Sequence, residues 1–193
     1  MRSEPHGCAG NVMRMRYVAF LRAINTGNRR IKMVDLRSVY TDLGYDEVAT
    51  YLASGNVIFC ADGSPDAQQL EDAFEERFGF DSEVFLRSAS QVSTLLQSVP
   101  WTNPDGVVEI SFLGALPDPE AARALEATAA KPEAIEVIGT EILYLREGKG
   151  VETTHKESTS VRMLGMQMTR RGLATVQGIH DRFLSGTPET TDR

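Results

Sequence analysis

Cationic and amide side chains crowd one short stretch of this 193-residue chain, between Arg22 and Lys32. The stretch follows an apolar run, contains Asn25 and Gly27, and leads into a segment with helical spacing of apolar residues. Guanidinium and ammonium groups close to a helix start, where backbone N–H groups point outward, are suited to hold phosphate or carboxylate. The sequence therefore predicts an anion-binding loop here.

A second group of polar residues, Ser54, Gly55 and Asn56, forms a tight turn between two apolar runs. Exposed backbone amides at such a turn can bind a ligand, although turn chemistry alone also explains these residue types. We expect the asparagines of both groups to orient an anion that Arg22 and Arg171 contact in a bidentate manner.

Charge is unevenly distributed, although a net charge of −7 makes the chain acidic as a whole. Basic residues concentrate in 14–37 and again in 156–182, whereas 42–83 is acidic. Two basic segments that meet in a cleft between subdomains would attract an anion; the alternative is that both are solvated faces paired with acidic ones. Arg22 fits this alternative least, because a charge within an apolar strand run must be paired or directed into a cleft.

Motifs of several other chemistries are missing from the sequence. It has no G-x-G-x-x-G, no Walker A, no G-x-S-x-G and no Cys/His ligand spacing. The three histidines are scattered, and Cys60 lies in an apolar run as a small buried residue. We therefore expect no metal and no cofactor, and the sequence assigns no catalytic residue.

Cysteine content and the N-terminal residues bear on the cellular compartment. Two cysteines form no disulfide framework, and residues 1–14 lack the apolar middle of a signal peptide. No run approaches the roughly 20 apolar residues of a membrane span. The sequence thus predicts a cytoplasmic protein that does not act at a membrane.

Hydrophobic periodicity predicts the same order of elements, β-α-β-β-α-β, in each half of the chain. In the first half the strands lie at 16–23, 48–52, 56–60 and 83–87 and the helices at 33–43 and 64–78. In the second half the strands lie at 107–114, 135–138, 142–145 and 166–168 and the helices at 118–130 and 154–164. A linking helix at 88–99 and a closing helix at 173–184 complete the pattern. The fold prediction is α+β with two packed ferredoxin-like subdomains; one continuous α+β domain is the alternative.

Helix-end residues support these assignments. Ser64 before a proline predicts an N-cap, and Gly79 predicts the end of that helix. Ser88 with Gln91 matches a capping box, as does the stretch beginning at Thr154, and Asp118 caps the helix after it. The predicted boundaries are a disordered extension at 1–14, a first subdomain at 15–88, a helix and linker at 89–106, a second subdomain with the C-terminal helix at 107–184, and a disordered tail at 185–193.

Three segments, Val18–Gly27, Lys32–Arg37 and Tyr51–Phe59, together resemble a widespread bacterial family, domain of unknown function 1697. The resemblance covers about residues 15–184. It implies two ferredoxin-like α+β subdomains and no established activity, substrate or cofactor. The family's signature positions in this part of the chain are Arg22, Asn25, Gly27, Ser54, Gly55 and Asn56.

The C-terminal part diverges from the family's Thr-x-Arg-Asn-Trp-x-Thr-Val pattern. Thr169, Arg171, Thr175 and Val176 match it, whereas 172–173 is Gly-Leu where the family has Asn-Trp. This divergence weakens any site that the second half would supply.

The leading hypothesis is a cofactor-free protein that binds an anionic small molecule or nucleic-acid phosphate near Arg22, Asn25, Lys32 and Arg171. One alternative is an enzyme that acts on a phosphorylated or nucleotide-like substrate by positioning and electrostatics. Another is an interaction module that dimerises through a sheet edge. Nucleic acid is a disfavoured partner because the chain is acidic and its central strand offers only Phe59, on a core-facing side, for stacking. The sequence does not fix an oligomeric state.

Overall fold

A computed structural model describes residues 14–27, 30–101, 106–146 and 156–185. Within these ranges the chain forms two compact units. The first unit contains the residues up to Leu96 together with those from Gln177 onward, and the second runs from Gln97 to Val176.

The sheet of the first unit and its two crossover helices have the predicted order. They are β1 (Arg14–Leu21), α1 (Met33–Asp42), β2 (Asp46–Thr50), β3 (Asn56–Asp62), α2 (Ala67–Phe78) and β4 (Val84–Ser88). The sheet is antiparallel, with the strand order β2-β3-β1-β4. This order, with helices as the two crossovers, is that of a ferredoxin-like plait.

The central strands β1 and β3 are buried on both faces. Val57 and Phe59 lie in the core with α1, where the ring of Phe59 is 5.1 Å from that of Tyr40. Val18 and Ile58, on the opposite face, are also buried. Because neither face meets solvent between Tyr17 and Leu21 of β1 or between Asn56 and Ala61 of β3, these parts of the strands are nearly continuous apolar runs rather than alternating ones.

Cys60 is buried in β3, as the sequence predicts, but it is disulfide-bonded rather than a free thiol. Its interpretation as a simple small apolar residue is therefore incomplete.

The N-cap of helix α2 lies two residues later than predicted. Asp66, rather than Ser64, is the N-cap, and its Oδ1 accepts the backbone N–H of Gln68 at 2.9 Å. A carboxylate satisfies an orphan helix N–H and complements the helix dipole, which explains why it displaces the serine. At the other end Gly79 adopts a φ of +74° and closes the helix, which confirms the predicted stop.

The second unit repeats the order of the first. Its elements are β5 (Val107–Leu113), α4 (Pro119–Glu126), β6 (Ala134–Ile138), β7 (Glu141–Arg146), α5 (Glu157–Leu164) and β8 (Met168–Gly172). The antiparallel order is β6-β7-β5-β8. The fold prediction is confirmed for each unit.

Two predicted helix caps are present as expected. Helix α3 (Ala89–Ser98) follows β4 without a loop, and Ser88 and Gln91 exchange side-chain-to-backbone hydrogen bonds of 2.8 and 3.2 Å. At α4, Oδ1 of Asp118 accepts the N–H groups of Glu120 and Ala121, both at 2.9 Å. The cap predicted at Thr154 lies outside the described residues, and α5 begins after Lys156.

The last strand differs from the prediction. It spans Met168–Gly172 rather than 166–168, so Arg170 and Arg171 belong to β8. Hydrophobic periodicity does not identify this strand because two of its residues are consecutive arginines. Its residues Met168 and Thr169 are nevertheless buried, one on each face.

The C-terminal helix α6 (Leu173–Ile179) continues as a π-helical turn at 180–184. Its last part packs within the first unit, whereas the predicted boundary placed it in the second. The ring of Phe183 meets that of Tyr51 edge-on at 6.1 Å, and the carbonyl of Phe183 accepts from Nη1 of Arg16 at 2.6 Å. A Cβ at Gly178 would lie 2.4 Å from the hydroxyl of Tyr51, so a larger residue there would require the Tyr51 ring to shift.

Candidate functional site

The predicted anion-binding loop connects β1 to α1 and begins with Arg22, just past the strand end. Nη1 of Arg22 lies 3.1 Å from Oε2 of Glu83, and the backbone N–H of Arg22 donates to the Glu83 carbonyl at 2.9 Å. The hydroxyl of Ser82 donates to the Arg22 carbonyl at 2.8 Å. The Arg22 side chain keeps 34% of its surface exposed. It is thus paired, as a charge beside an apolar strand must be, but still accessible.

Asn25 joins this loop to the hairpin between β2 and β3. Its Nδ2 donates to the Ala53 carbonyl at 2.8 Å, and its Oδ1 accepts the N–H of Ile31 at 2.8 Å. Asn25 has a φ of +56°, a left-handed conformation that asparagine tolerates better than most residues. One side chain therefore closes the loop on itself and ties it to a second loop.

The hairpin is held by its own signature residues. Asn56 is fully buried, and its Nδ2 donates to the Tyr51 carbonyl at 2.8 Å and to Oγ of Ser54 at 3.0 Å. Gly55 has a φ of +74°, and a Cβ there would lie 2.6 Å from Cγ1 of Ile24. No other residue type fits this position without displacing the first loop.

The signature residues of the two loops thus have clear structural roles. Ser54, Asn25 and Asn56 hold the loops, and Gly27, with a φ of +57°, supplies a left-handed conformation in open space. Their contact with a ligand stays a prediction.

The start of α1 presents two exposed cations. Lys32 is the N-cap residue, in an extended conformation, and supplies no side-chain cap. Within the part of the chain that the structure describes, neither Lys32 nor Arg30 forms an ion pair. Asp35 is the acidic residue of the first turn. The other cation of the predicted loop, Arg29, lies outside the described residues.

Arg171, the remaining predicted site residue, lies in β8 of the second unit and is only 9% exposed. Its Nη1 donates to Oγ1 of Thr169 and to the Arg170 carbonyl, both at 2.8 Å. Burial lowers the pKa of Arg171 to about 10, against the opposing effect of the nearby Glu157 carboxylate. The guanidinium therefore stays charged at neutral pH.

A second ionic cluster in β5, β7 and β8 was missed by sequence reasoning. The carboxylate of Glu109 lies 3.1 Å from Nε of Arg146 and 3.5 Å from Nη1 of Arg170. The guanidinium of Arg170 also lies 4.0 Å from the centre of the Tyr144 ring. The sequence feature that could have indicated this cluster is the alternation in β5, which places Glu109 and Ser111 on one face of the strand.

Two further properties concern only the described ranges. No group of three or more His, Cys, Asp or Glu residues there is arranged to hold a metal ion. None of the helices there combines the length and apolar character that a membrane crossing requires.

A conserved bacterial protein from Streptococcus pneumoniae, SP0830, has a similar structure, with a TM-score of 0.67 and 23% sequence identity over 87% of this chain and 97% of that one. At this identity the likeness concerns the fold. The comparison with curated proteins gave no match. A model of a family of unknown function, DUF1697, matches residues 15–143, which include the loop, the hairpin and both sheets as far as β7. The chain belongs to this DUF1697 family.

Proposed function

We propose that this protein binds an anion at the loop before α1. The ligand is a small molecule bearing phosphate or carboxylate, or the phosphate of a nucleic acid. The observation that carries the proposal is the pair of exposed cations, Arg30 and Lys32, beside a helix start that has no side-chain cap. Orphan N–H groups and cations together favour an anion there.

Arg22 supplies the third cation of this proposed site. Its fork-shaped guanidinium can contact two oxygens of one phosphate or carboxylate. Glu83 holds it in place through a single 3.1 Å contact, and a third of the side chain stays open to solvent. An anion would therefore compete with a partly exposed carboxylate rather than break a buried ion pair.

Asp35 allows a second test of the proposed site, because its removal should change the anion affinity in the opposite direction to the removal of Lys32. Its carboxylate lies in the first turn of α1, where it repels an anion that approaches the helix start. Removal of this charge should therefore strengthen binding, whereas removal of Lys32 should weaken it. Two variants with opposite expected effects locate the site more firmly than a single loss does.

The first experiment is a thermal-shift screen followed by titration calorimetry. The probes are inorganic pyrophosphate, nucleotides, sugar phosphates, organic acids and short RNA, at low and high salt. A ligand at about 100 times its dissociation constant should add about 2.7 kcal/mol of stability. We expect a shift that high salt reduces, because the site is exposed.

Variants then locate the site. Lys32→Gln and Arg30→Gln should each weaken binding about two- to fivefold, and Asp35→Asn should tighten it by a similar factor. Arg77→Gln removes one exposed charge from the far end of α2 and should change nothing. Equal affinities for Lys32→Gln, Asp35→Asn and Arg77→Gln would show that the site is placed wrongly. Arg171→Ala measures any contribution of the second unit.

A further inference from the structure

Four strands lie at sheet edges: β2, β4, β6 and β8. An edge strand offers unpaired N–H and C=O groups to other chains unless charge, a bulge or a covering group protects it. β2 has the exposed residues Asp46 and Glu47 and a register shift before Ala49. In β8, two of the five residues are arginines. The carboxylate of Glu71 covers the N–H of Val84 in β4 at 2.7 Å.

Among the residues that the structure describes, the fourth edge, β6, is covered at one position only, where the Glu126 carboxylate accepts the N–H of Val137. Its sequence is Ala-Ile-Glu-Val-Ile, with one charge in five residues. The N–H of Val137 points away from β7, because it donates to Oε1 of Glu126 at 2.8 Å. Alternate residues of an antiparallel strand direct their backbone groups to the same side, so the N–H and C=O of Ile135 also point outward. Within the described ranges, no group beyond the sheet bonds to those of Ile135.

An open groove of about 750 Å³ runs beside this edge. Apolar side chains that line it are those of Trp101, Ala129, Pro132, Ile135 and Leu145. An extended peptide can add to a sheet edge as a further strand where free backbone groups lie next to an apolar groove. Its backbone hydrogen bonds then supply affinity, and the groove selects one of its side chains.

Charge identifies the kind of strand that fits. Glu126 and Glu133 line the groove against the single cation Lys131, and Glu136 stands at the middle of β6. A second copy of this chain, paired antiparallel over the whole of β6, would place Glu136 opposite its own equivalent, which is unfavourable. A basic strand would instead meet carboxylates.

We propose that β6 is a docking edge for an extended, basic segment of another protein. The segment adds to the sheet as an antiparallel strand and inserts an apolar side chain beside Trp101. This inference is independent of the anion site, which lies in the other unit.

Trp101 is the only tryptophan, so its emission reports on the groove directly. The probes are eight-residue peptides of alternating Val and Lys, the same peptide with Glu for Lys, and the Lys peptide with two central prolines. We expect saturable binding of the first peptide, with a shift in Trp101 emission that salt reduces. The Glu peptide should not bind because of charge, and the proline peptide should not bind because it cannot pair as a strand.

Two variants complete the test. Ala129→Phe fills the groove and should lower the affinity for the Lys peptide about tenfold. Ala127→Phe, at an exposed position outside the groove, should change this affinity less than about twofold. Glu136→Lys, on the strand surface, should shift preference toward the Glu peptide, and it keeps the test valid if Ala129→Phe fails to fold.

Three results would overturn the proposal. One is equal binding of the proline peptide; another is a Glu136→Lys variant with unchanged preference. The third is a concentration-dependent dimer whose dilution alone shifts Trp101 emission, which would make a second copy the occupant.

Discussion

Helices α1 and α4 occupy the same place in the two units, yet they begin differently. At α4, Asp118 caps two N–H groups and Pro119 takes the first helical position. At α1 the corresponding residue is Lys32, which caps nothing. A missing cap costs about 1 kcal/mol. Helix α5 also begins after an uncapped lysine, Lys156, so the open start of α1 supports the proposed site only together with its exposed cations, Arg30 and Lys32.

The β-hairpins of the two units also differ, in how closely their turn glycines pack against other residues. In the second unit, residues 139–140 form a two-residue turn with Gly139 at a φ of +60°. Around Gly139 there is room for a side chain, whereas Gly55 packs directly against Ile24. One turn only reverses the chain; the other also fixes the shape of a neighbouring loop.

The largest predicted effect concerns these glycines. Gly55→Ala should destabilise the protein by about 3 kcal/mol, because a left-handed conformation and a steric clash add together. Gly139→Ala, the matched control, should cost only about 1 kcal/mol for the conformation. Urea denaturation measures both. Equal losses of stability in the two variants would mean that the close contact with Ile24 does not contribute to the cost of Gly55→Ala.

The next prediction exchanges the helix starts. Asp118→Ala should destabilise by about 1 kcal/mol, and Lys32→Asp, which gives α1 the cap of α4, should stabilise by about 0.5 kcal/mol. Lys32→Asp should at the same time abolish the anion-dependent thermal shift. A variant that gains stability and keeps full anion affinity would contradict the proposed function.

A gain of similar size is expected at Gly172, where the family pattern has Asn. The position lies in β8, and a Cβ there would meet nothing within 4 Å. Gly172→Ala should therefore stabilise by about 0.5 kcal/mol, since it removes freedom from the unfolded chain. The melting temperature should rise by about 1–2 °C. A decrease would indicate that the backbone at this position requires glycine.

The smallest effect depends on pH. Burial, with the charges of Glu83, Asp72 and Asp66, raises the pKa of Glu71, although the N–H of Val84 acts in the opposite direction. The folded state therefore binds this proton more tightly, and the associated stability is present below pH 4.5 and lost as pH rises through the raised pKa.

Glu71→Gln, which can still accept from Val84, should thus gain a few tenths of a kcal/mol at pH 7 and nothing at pH 4. Thermal melts at the two pH values measure this difference. A gain of the same size at both values would point to a cause other than the charge.

Much of the fold could be predicted from local patterns. The caps at Ser88 and Asp118 and the stop at Gly79 depend on residues a few positions apart, so the sequence shows them directly. β8 was misplaced because Arg170 and Arg171 occupy positions where a pattern expects apolar residues.

The site was predictable only in part. Composition identified Arg22 and Lys32 as cations near a helix start. Asn25 and Asn56 were assigned to the ligand, whereas their partners in the structure are the carbonyls of Ala53 and Tyr51. Asn25 reaches its partner across 28 residues of sequence, and no local pattern encodes such a contact.

The return of residues 177–185 to the first unit has a consequence for biosynthesis. During translation, the segment that carries Gly178 and Phe183 emerges after the second unit, so the first unit begins to form early but is completed only after the second. We expect a nascent chain that stops at Val176 to have a protected second unit and a protease-sensitive first one. The part of the protein made first would thus be the last to become stable.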